Sequence, residues 1–180
     1  MHRFVLALCL APTALFAQCP EPDRSAQEAA LLQTLKTSPD EVAGERAARD
    51  VWEHWLVAPN AQAQALLDQG MERRNAYDFE ESERVLDELI AYCPNYTEGW
   101  NQRAFTRFLR DDLDGALSDI DQVLRAQPSH FGALSGKALT LMKQGRMTLA
   151  QAALRRAVEA HPWLQERNMI LPPAATGQDI

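Results

Sequence analysis

Residues 97–130, TEGWNQRAFTRFLRDDLDGALSDIDQVLRAQPSH, form one 34-residue period of a pattern that runs through most of the chain. The pattern is most visible in three prolines, Pro94, Pro128 and Pro162, which follow one another at intervals of 34 residues. Aligning the chain on these prolines defines three units, at residues 63–96, 97–130 and 131–164. A period of this length is typical of proteins that stack small structural units into a solenoid.

Four further positions agree in size between the three units. Each unit has a bulky residue, a small one four residues later, a second small one twelve residues after that, and another bulky one four residues on. These columns are Leu66, Trp100 and Leu134; Gly70, Ala104 and Ala138; Ser82, Ala116 and Ala150; and Leu86, Ile120 and Leu154. Small residues at two columns allow two antiparallel helices to approach closely, and the proline ends the second helix of each unit.

This pattern resembles the tetratricopeptide repeat of exported bacterial proteins, over the 102 residues from 63 to 164. The resemblance implies an all-α fold, an α-solenoid of antiparallel helix pairs, with helices near residues 63–76, 80–93, 97–110, 114–127, 131–144 and 148–160. Composition independently favours helix, because Ala and Leu occupy 51 positions while Val, Ile and Thr occupy 19. Two columns depart from the family, where its leucine and tyrosine are replaced by Gln69, Arg103 and Lys137 and by Arg73, Arg107 and Leu141.

The N-terminus has the pattern of an export signal. A short cationic start, which includes Arg3, is followed by an apolar run over residues 4–16 that is too short to span a bilayer. We therefore predict a signal peptide at residues 1–17, cleaved after Ala17, and a mature protein in a periplasm; secretion from the cell fits the residues equally. No later segment has the length and apolarity for stable membrane insertion after cleavage.

Two cysteines, Cys19 and Cys93, remain after this cleavage. In an oxidising compartment they can form a disulfide. On a chain-entropy argument, closing the loop between them would stabilise the fold by about 4 kcal/mol. The alternative is that Cys93 is a small buried apolar residue and Cys19 a free thiol near the terminus.

The segments on either side of the units are predicted to add helices. Residues 18–62 have helical patterns near 26–37 and 40–58, which we interpret as an N-terminal helical cap or a divergent half-repeat. Residues 165–180 are predicted to be a short capping segment, a closing helix near 163–170, followed by a disordered tail.

The family resemblance also implies a binding surface, because the first helices of such units line a concave face that holds peptides. The predicted groove is apolar with a polar and cationic fringe and consists of Met71, Arg74, Asn75, Asn101, Phe105, Phe108, Leu109, Leu139, Met142 and Lys143. The family's carboxylate clamp is not supported, since its asparagine column is occupied by Met71, Phe105 and Leu139. An apolar groove suits an amphipathic helix or an extended apolar peptide.

Three other roles remain open for these residues. Phe105, Phe108 and Met142 can belong to the core, since a short superhelix packs much of its first-helix surface inward. The N-terminal helices, or the tail from Leu171, can fold back into the groove. The same face can also join two copies of the chain in a homodimer.

The sequence lacks the patterns of catalytic, metal-binding and nucleic-acid-binding proteins. His54, His130 and His161 each stand alone, and the two cysteines do not have metal-ligand spacing. The acidic run that begins at Asp111 lacks the glycine and glutamate positions of a calcium loop. A formal net charge of −7 gives no basic field to attract phosphates. We predict no cofactor and no nucleic-acid partner.

Together these observations predict a non-catalytic, exported tetratricopeptide-repeat module. It would bind a protein or peptide partner in its concave groove, as an adaptor or scaffold of the cell envelope. The alternative is a self-associating structural envelope protein that uses the same face.

Overall fold

The computed structural model describes residues 19–20 and 23–172. In this part of the chain there are eight α-helices, one 3₁₀-helix and no β-strand, so the predicted all-α class is confirmed. The helices are α1 (Ser25–Lys36), α2 (Glu41–Trp55), α3 (Ala61–Asn75), α4 (Phe79–Tyr92), α5 (Thr97–Leu109), α6 (Leu113–Ala126), α7 (Phe131–Lys143), α8 (Met147–Ala160) and the 3₁₀-helix Gln165–Met169. The predicted signal peptide at 1–17 and residues 173–180 of the predicted tail lie outside the described residues.

Helices α3 to α8 form three successive antiparallel pairs. Each of these six helices begins and ends within two residues of its predicted bounds. In each pair, the turn between the two helices contains one residue with a left-handed backbone conformation. These residues are Tyr77, Asp111 and Gly145. Helices α4 and α6 begin directly after Asp78 and Asp112, whose carboxylates accept hydrogen bonds from backbone N–H groups three residues on, at 3.4 and 3.0 Å. The turn residues therefore fix both the end of one helix and the start of the next.

The two columns of small residues lie where the paired helices touch. A Cβ atom on Gly70 of α3 would lie 2.7 Å from the side chain of Leu86 on α4, so no larger residue fits there without movement. The other small residues of these columns are 3% exposed or less: Ala104, Ala116, Ala138, Ala150 and Ser82. Close helix approach, the physical reason for the repeat pattern, is thus present in all three pairs.

Ion pairs occupy the two columns that depart from the family pattern. The guanidinium groups of Arg103 and Arg107 on α5 bind the buried carboxylate of Asp119 on α6, at 2.6 and 3.0 Å. They also reach back to α4, where Arg103 binds Asp87 and Arg107 binds Glu83, at 2.5 and 2.7 Å. The arginines therefore join successive helix pairs on the face where apolar side chains would otherwise pack.

The N-terminal helices α1 and α2 form a further antiparallel pair, which we call the N-terminal pair. It packs against the last unit: Val51 and Trp55 of α2 share one buried cluster with Phe131 of α7 and Leu154 of α8. Polar contacts hold the turn between α1 and α2, since Trp163 Nε1 donates to the Ser38 carbonyl at 3.2 Å and Arg167 pairs with Glu41 at 3.0 Å.

The sequence predicts helices in this segment, as a helical cap or a divergent half-repeat, without indicating which unit they contact. The aromatic side chains of α2 explain why the pair packs on the last unit. Trp55 stacks on His130 with ring centroids 3.8 Å apart, and Trp52 lies edge-on to Phe131 at 5.4 Å. The chain therefore folds back across the concave side, which the sequence analysis had left open as an alternative.

The two cysteines lie at disulfide-bonding distance in the structure. Their Cα atoms are 5.1 Å apart, within the usual range for a bridge. Cys93 ends α4 and is buried, and Cys19 packs on the same apolar cluster. The pair therefore joins the start of the described chain to the first unit, while α1 and α2 reach the last unit.

Candidate functional site

A groove of about 560 Å³ lies on the concave side, between the first helices of the units and the N-terminal pair. Its lining from α3, α5 and α7 includes Met71, Arg74, Asn101, Gln102, Phe105, Phe108, Phe131, Ser135 and Leu139. The opposite wall consists of α2 and the segment after α8, which contribute Glu45, Ala48, Arg49, Trp52, His161, Trp163, Leu164, Gln165 and Glu166. We call this cavity the groove.

The structure brings six of the predicted binding residues into the groove: Met71, Arg74, Asn101, Phe105, Phe108 and Leu139. Phe105 is 47% exposed, so the interpretation of this residue as core does not hold. Phe108 is half-buried. Both rings face a cavity that the folded chain leaves open.

The other four predicted residues do not line the groove, which is therefore shorter than predicted. Asn75, Leu109 and Lys143 are the last residues of their helices, one turn beyond Met71, Phe105 and Leu139, and they lie past the rim. The Lys143 ammonium sits 5.1 Å from the centre of the Phe108 ring and pairs with Asp111. Met142 faces away and packs on the buried cluster shared with the N-terminal pair.

The wall formed by α2 was not predicted as part of the site. One signal in the sequence could have indicated it. Gly132 stands where the two earlier units have Gln64 and Glu98, and a Cβ atom there would lie 2.5 Å from the Trp52 indole. A glycine at this position of a helix is what a closely packed aromatic ring requires.

Buried polar side chains form a network at the base of the groove. The carboxylate of Glu98, 1% exposed, accepts hydrogen bonds from Asn101 Nδ2 at 2.9 Å and from Gln102 Nε2. His130 Nδ1 accepts from the Ala133 backbone N–H at 3.1 Å, so its Nε2 carries the proton and donates to Glu98 at 3.2 Å. The negative charge is therefore compensated by three donors, two on α5 and one at the residue that precedes α7.

Arg74 brings a positive charge to the same network. Its Nη1 donates to Gln102, and its guanidinium lies 4.7 Å from the centre of the Phe105 ring. Burial lowers the pKa of Arg74, and the nearby Glu98 carboxylate opposes this shift. Among the described residues only Nη1 has an acceptor, so the remaining N–H groups of this mostly buried cation are available to a ligand in the groove.

His161 is a buried polar residue in the opposite wall of the groove. It is 6% exposed, its ring lies 4.9 Å from that of Phe131, and its enclosed Nδ1 has no hydrogen-bond partner among the residues that the structure describes. Burial lowers the pKa of His161, an effect that Arg167 adds to and Glu166 opposes. The surroundings of the imidazole therefore favour its neutral form.

We expect mild acid to destabilise the fold through two histidines. Burial lowers the pKa of His161 and of His54, and Arg24 lowers that of His54 further. The unfolded chain therefore takes up protons first, and the stability present above the ordinary histidine pKa of about 6.5 is lost as pH falls below it. Thermal melting should give a lower midpoint at about pH 5.5 than at about pH 7.5.

The matched control for this experiment is the double variant His54→Gln with His161→Gln. It should show a clearly smaller difference between the two midpoints. An unchanged difference in the double variant would assign the pH dependence to other groups.

Between residues 23 and 172, no three His, Cys, Asp or Glu side chains cluster in a way that could hold a metal ion. None of the helices described for this chain is long and apolar enough to cross a membrane. The chemistry that the groove offers consists of aromatic and aliphatic surface, hydrogen-bond donors and a few charges. These groups suit recognition of a ligand.

Comparisons with known proteins agree with this architecture. No protein-family model matches the chain. A TPR repeat-containing protein of Rhizobium etli is 42% identical over 93 residues, which are 51% of this chain and 43% of that relative, so the chain covers less than half of the relative's length. The first TPR of Spaghetti (RPAP3), solved bound to the HSP90 peptide SRMEEVD, has a TM-score of 0.59 and 18% identity, over 62% of this chain and 90% of that one.

A mutant of MamA has a TM-score of 0.51 and 14% identity, over 77% of this chain and 98% of that one. At 18% and 14% identity, the likeness to these two solved structures shows a shared fold and nothing more. The stacked helix pairs, their 34-residue period and the sequence relative together confirm the predicted resemblance to the tetratricopeptide repeat.

Proposed function

We propose that this chain is a non-catalytic, exported adaptor or scaffold of the cell envelope that binds a polypeptide partner in the groove. The observation that carries the proposal is the exposure of Phe105. A ring that is 47% exposed in the wall of an apolar cavity is unfavourable in water. A ligand that covers it removes this cost, and large aromatic side chains supply much of the free energy of such contacts.

The size and lining of the groove fit a peptide segment as the ligand. A volume of about 560 Å³ is in the range of ligand sites in proteins and is large enough for a few side chains of a peptide. Phe108 and Leu139 extend the apolar surface beyond Phe105, and Asn101 and Arg74 add donors for backbone carbonyl groups. A similar fold binds a peptide in the RPAP3 structure, which supports this mode of use.

The proposed location rests on the predicted signal at residues 1–17 and on the cysteine pair. Disulfides persist in oxidising compartments such as the periplasm, and Cys19 and Cys93 lie at bonding distance. An adaptor of the envelope would hold its partner there. A periplasmic location is our preferred interpretation, with secretion as the alternative.

A peptide-display selection tests the binding function. A random library of about twelve residues is selected on the mature chain, and the dissociation constants of the enriched peptides are then measured for the wild type and two variants. Phe105→Glu places a charge in the groove, and Leu109→Glu, its matched control, places the same charge on α5 one turn beyond the rim. Both residues are exposed, at 47% and 40%, so neither substitution should unfold the chain.

We expect enriched peptides to be apolar, to bind wild type and Leu109→Glu equally, and to bind Phe105→Glu at least about tenfold more weakly. Equal binding to all three proteins, with unchanged circular dichroism, would mean that the groove is not the binding surface.

A second copy of the chain is the alternative occupant of this surface. Sedimentation equilibrium of the mature chain over a range of concentrations distinguishes it. A mass that rises with concentration in the wild type, and stays monomeric for Phe105→Glu, would favour a self-associating structural protein over an adaptor.

A further inference from the structure

Arg74, the cation that α3 contributes to the groove, is linked to a buried carboxylate. Its Nη1 donates to Gln102 Oε1, and Nε2 of the same amide donates to Glu98. The Gln102 side chain therefore bridges the guanidinium and the carboxylate of two residues that are 8% and 1% exposed. Glu98 favours the charged form of Arg74, since it opposes the lowering of the Arg74 pKa by burial.

Arg74 still has hydrogen-bond donors that face the cavity. A guanidinium carries five N–H groups, and among the described residues Gln102 is the one acceptor of the Arg74 side chain. The enclosed side-chain nitrogens without a partner in this part of the chain are Trp55 Nε1 and His161 Nδ1, so the free nitrogens of Arg74 are not enclosed. They are open to the groove that Arg74 lines, next to the exposed Phe105 ring.

The buried carboxylate of Glu98 decides which acceptor these donors suit. A carboxylate brought by a ligand would lose its hydration and would meet the opposite charges of Arg74 and Glu98, which largely cancel. A neutral acceptor can form the same hydrogen bonds with Arg74 and has a smaller desolvation cost. The donors of Arg74 therefore suit a neutral acceptor better than an anion.

The other charges around the groove do not favour an anion either. The wall of α2 and the segment after α8 contributes one cation, Arg49, and two carboxylates, Glu45 and Glu166. With Arg74 and Glu98 included, three carboxylates surround the groove and two cations. The other buried polar side chains that α5 and α7 contribute to the lining carry no charge: Asn101, Gln102, Ser135 and Thr140.

We propose that Glu98 determines the specificity of the groove, by making Arg74 a donor for a neutral acceptor of the bound peptide. This acceptor is a backbone carbonyl or the side chain of an Asn or Gln, and an acidic residue is disfavoured there. Glu98 is 1% exposed, so it acts on the ligand through Gln102 and Arg74. The proposal deepens the proposed function and rests on it.

Removing the charge of Glu98 should therefore create a new preference. In Glu98→Gln the guanidinium of Arg74 has no balancing carboxylate, and charge-assisted hydrogen bonds to a carboxylate are stronger than those to a neutral acceptor. The variant should tolerate or prefer an acidic residue that the wild type rejects.

The test compares Gln and Glu at each position of a peptide that has been selected on the wild-type chain. The ratio of the two dissociation constants is measured for the wild type, Glu98→Gln, Arg74→Gln and Asp119→Asn. The peptide position that faces Arg74 is the one at which Arg74→Gln changes this ratio most. Asp119 is the matched control, because it is also a 1% exposed carboxylate bound to α5 side chains, but it lies on α6 and does not line the groove.

At the position that faces Arg74, the wild type should bind the Glu form at least about tenfold more weakly than the Gln form. Glu98→Gln should reduce this ratio at least about tenfold, and Asp119→Asn should leave it unchanged. A purely structural role of Glu98 would weaken both forms of the peptide equally and would not change the ratio. Arg74→Gln keeps the buried carboxylate without its cation, so the ratio should rise above that of the wild type.

Three outcomes would overturn the proposal: a wild type that prefers the Glu form at this position, a folded Glu98→Gln with the wild-type ratio, or an equal change in Asp119→Asn. Should circular dichroism show that Glu98→Gln does not fold, the ratios of the wild type and Arg74→Gln decide. A wild-type chain that enriches no peptide would reject the proposed function and this proposal with it. Enriched peptides with contrary ratios would reject the specificity alone.

Discussion

Replacing Trp55 with alanine is expected to lower the free energy of unfolding by about 3–5 kcal/mol, the usual cost of truncating a buried aromatic side chain. Trp55 is 4% exposed, stacks on His130 at 3.8 Å and lies 4.9 Å from Phe131. Its backbone carbonyl also accepts a hydrogen bond from the Tyr96 hydroxyl at 2.8 Å. The indole thus joins the N-terminal pair to the second and third units, and its loss leaves a cavity where they meet.

Two matched variants separate this effect from a general loss of aromatic surface. Trp55→Phe keeps a ring in the stack and removes an indole N–H that has no partner in the structure, so it should cost much less than Trp55→Ala. Trp100→Ala removes a half-buried indole on α5 and should also cost less. The measurement is chemical denaturation followed by circular dichroism. Equal losses for Trp55→Ala and Trp100→Ala would contradict the packing of the N-terminal pair on the last unit.

The second large effect is expected from reduction of the cysteine pair. Cys19 and Cys93 are 74 residues apart in sequence. Opening a loop of this length should lower the free energy of unfolding by about 4 kcal/mol on the chain-entropy model. The denaturation midpoint should therefore fall when the wild-type protein is measured with a reducing agent.

Cys19→Ser is the suitable variant for this comparison. Cys93 is 1% exposed, so changing it would disturb the core, whereas Cys19 is half-buried. The variant should unfold like the reduced wild type, and the reducing agent should not affect it further. A wild-type midpoint that is the same with and without the reducing agent would show that the pair does not constrain the chain in solution.

The repeat architecture could be predicted from sequence because the information for it is local. The prolines and the small residues of each unit determine where two neighbouring helices end and touch, as at Gly70 and Leu86. The positions of Phe105 and Leu139 in the groove follow from the same register. The predicted groove was one helical turn too long, at Leu109 and Lys143. The repeat pattern shows on which helix face a residue lies, but it does not show where along the helix the cavity ends.

The position of the N-terminal pair could not be predicted in this way. Val51 and Trp55 mark an apolar face on α2, and such a face requires a partner. Nothing in the local pattern states that the partner is Phe131, 76 residues further along the chain than Trp55. The α2 wall of the groove escaped prediction for the same reason, since Trp52 meets Gly132 and Phe131 only when α2 folds back over the last unit.

The most direct test of the central claim is to map a display-selected peptide on the ¹⁵N-labelled mature chain by NMR. We predict that the shifted signals come from backbone amides of α3, α5 and α7 and from the indole of Trp52, and that the Trp100 indole and the amides of α4, α6 and α8 remain unchanged. Shifts confined to those outer helices would contradict the assignment of the groove as the site where this protein holds its partner.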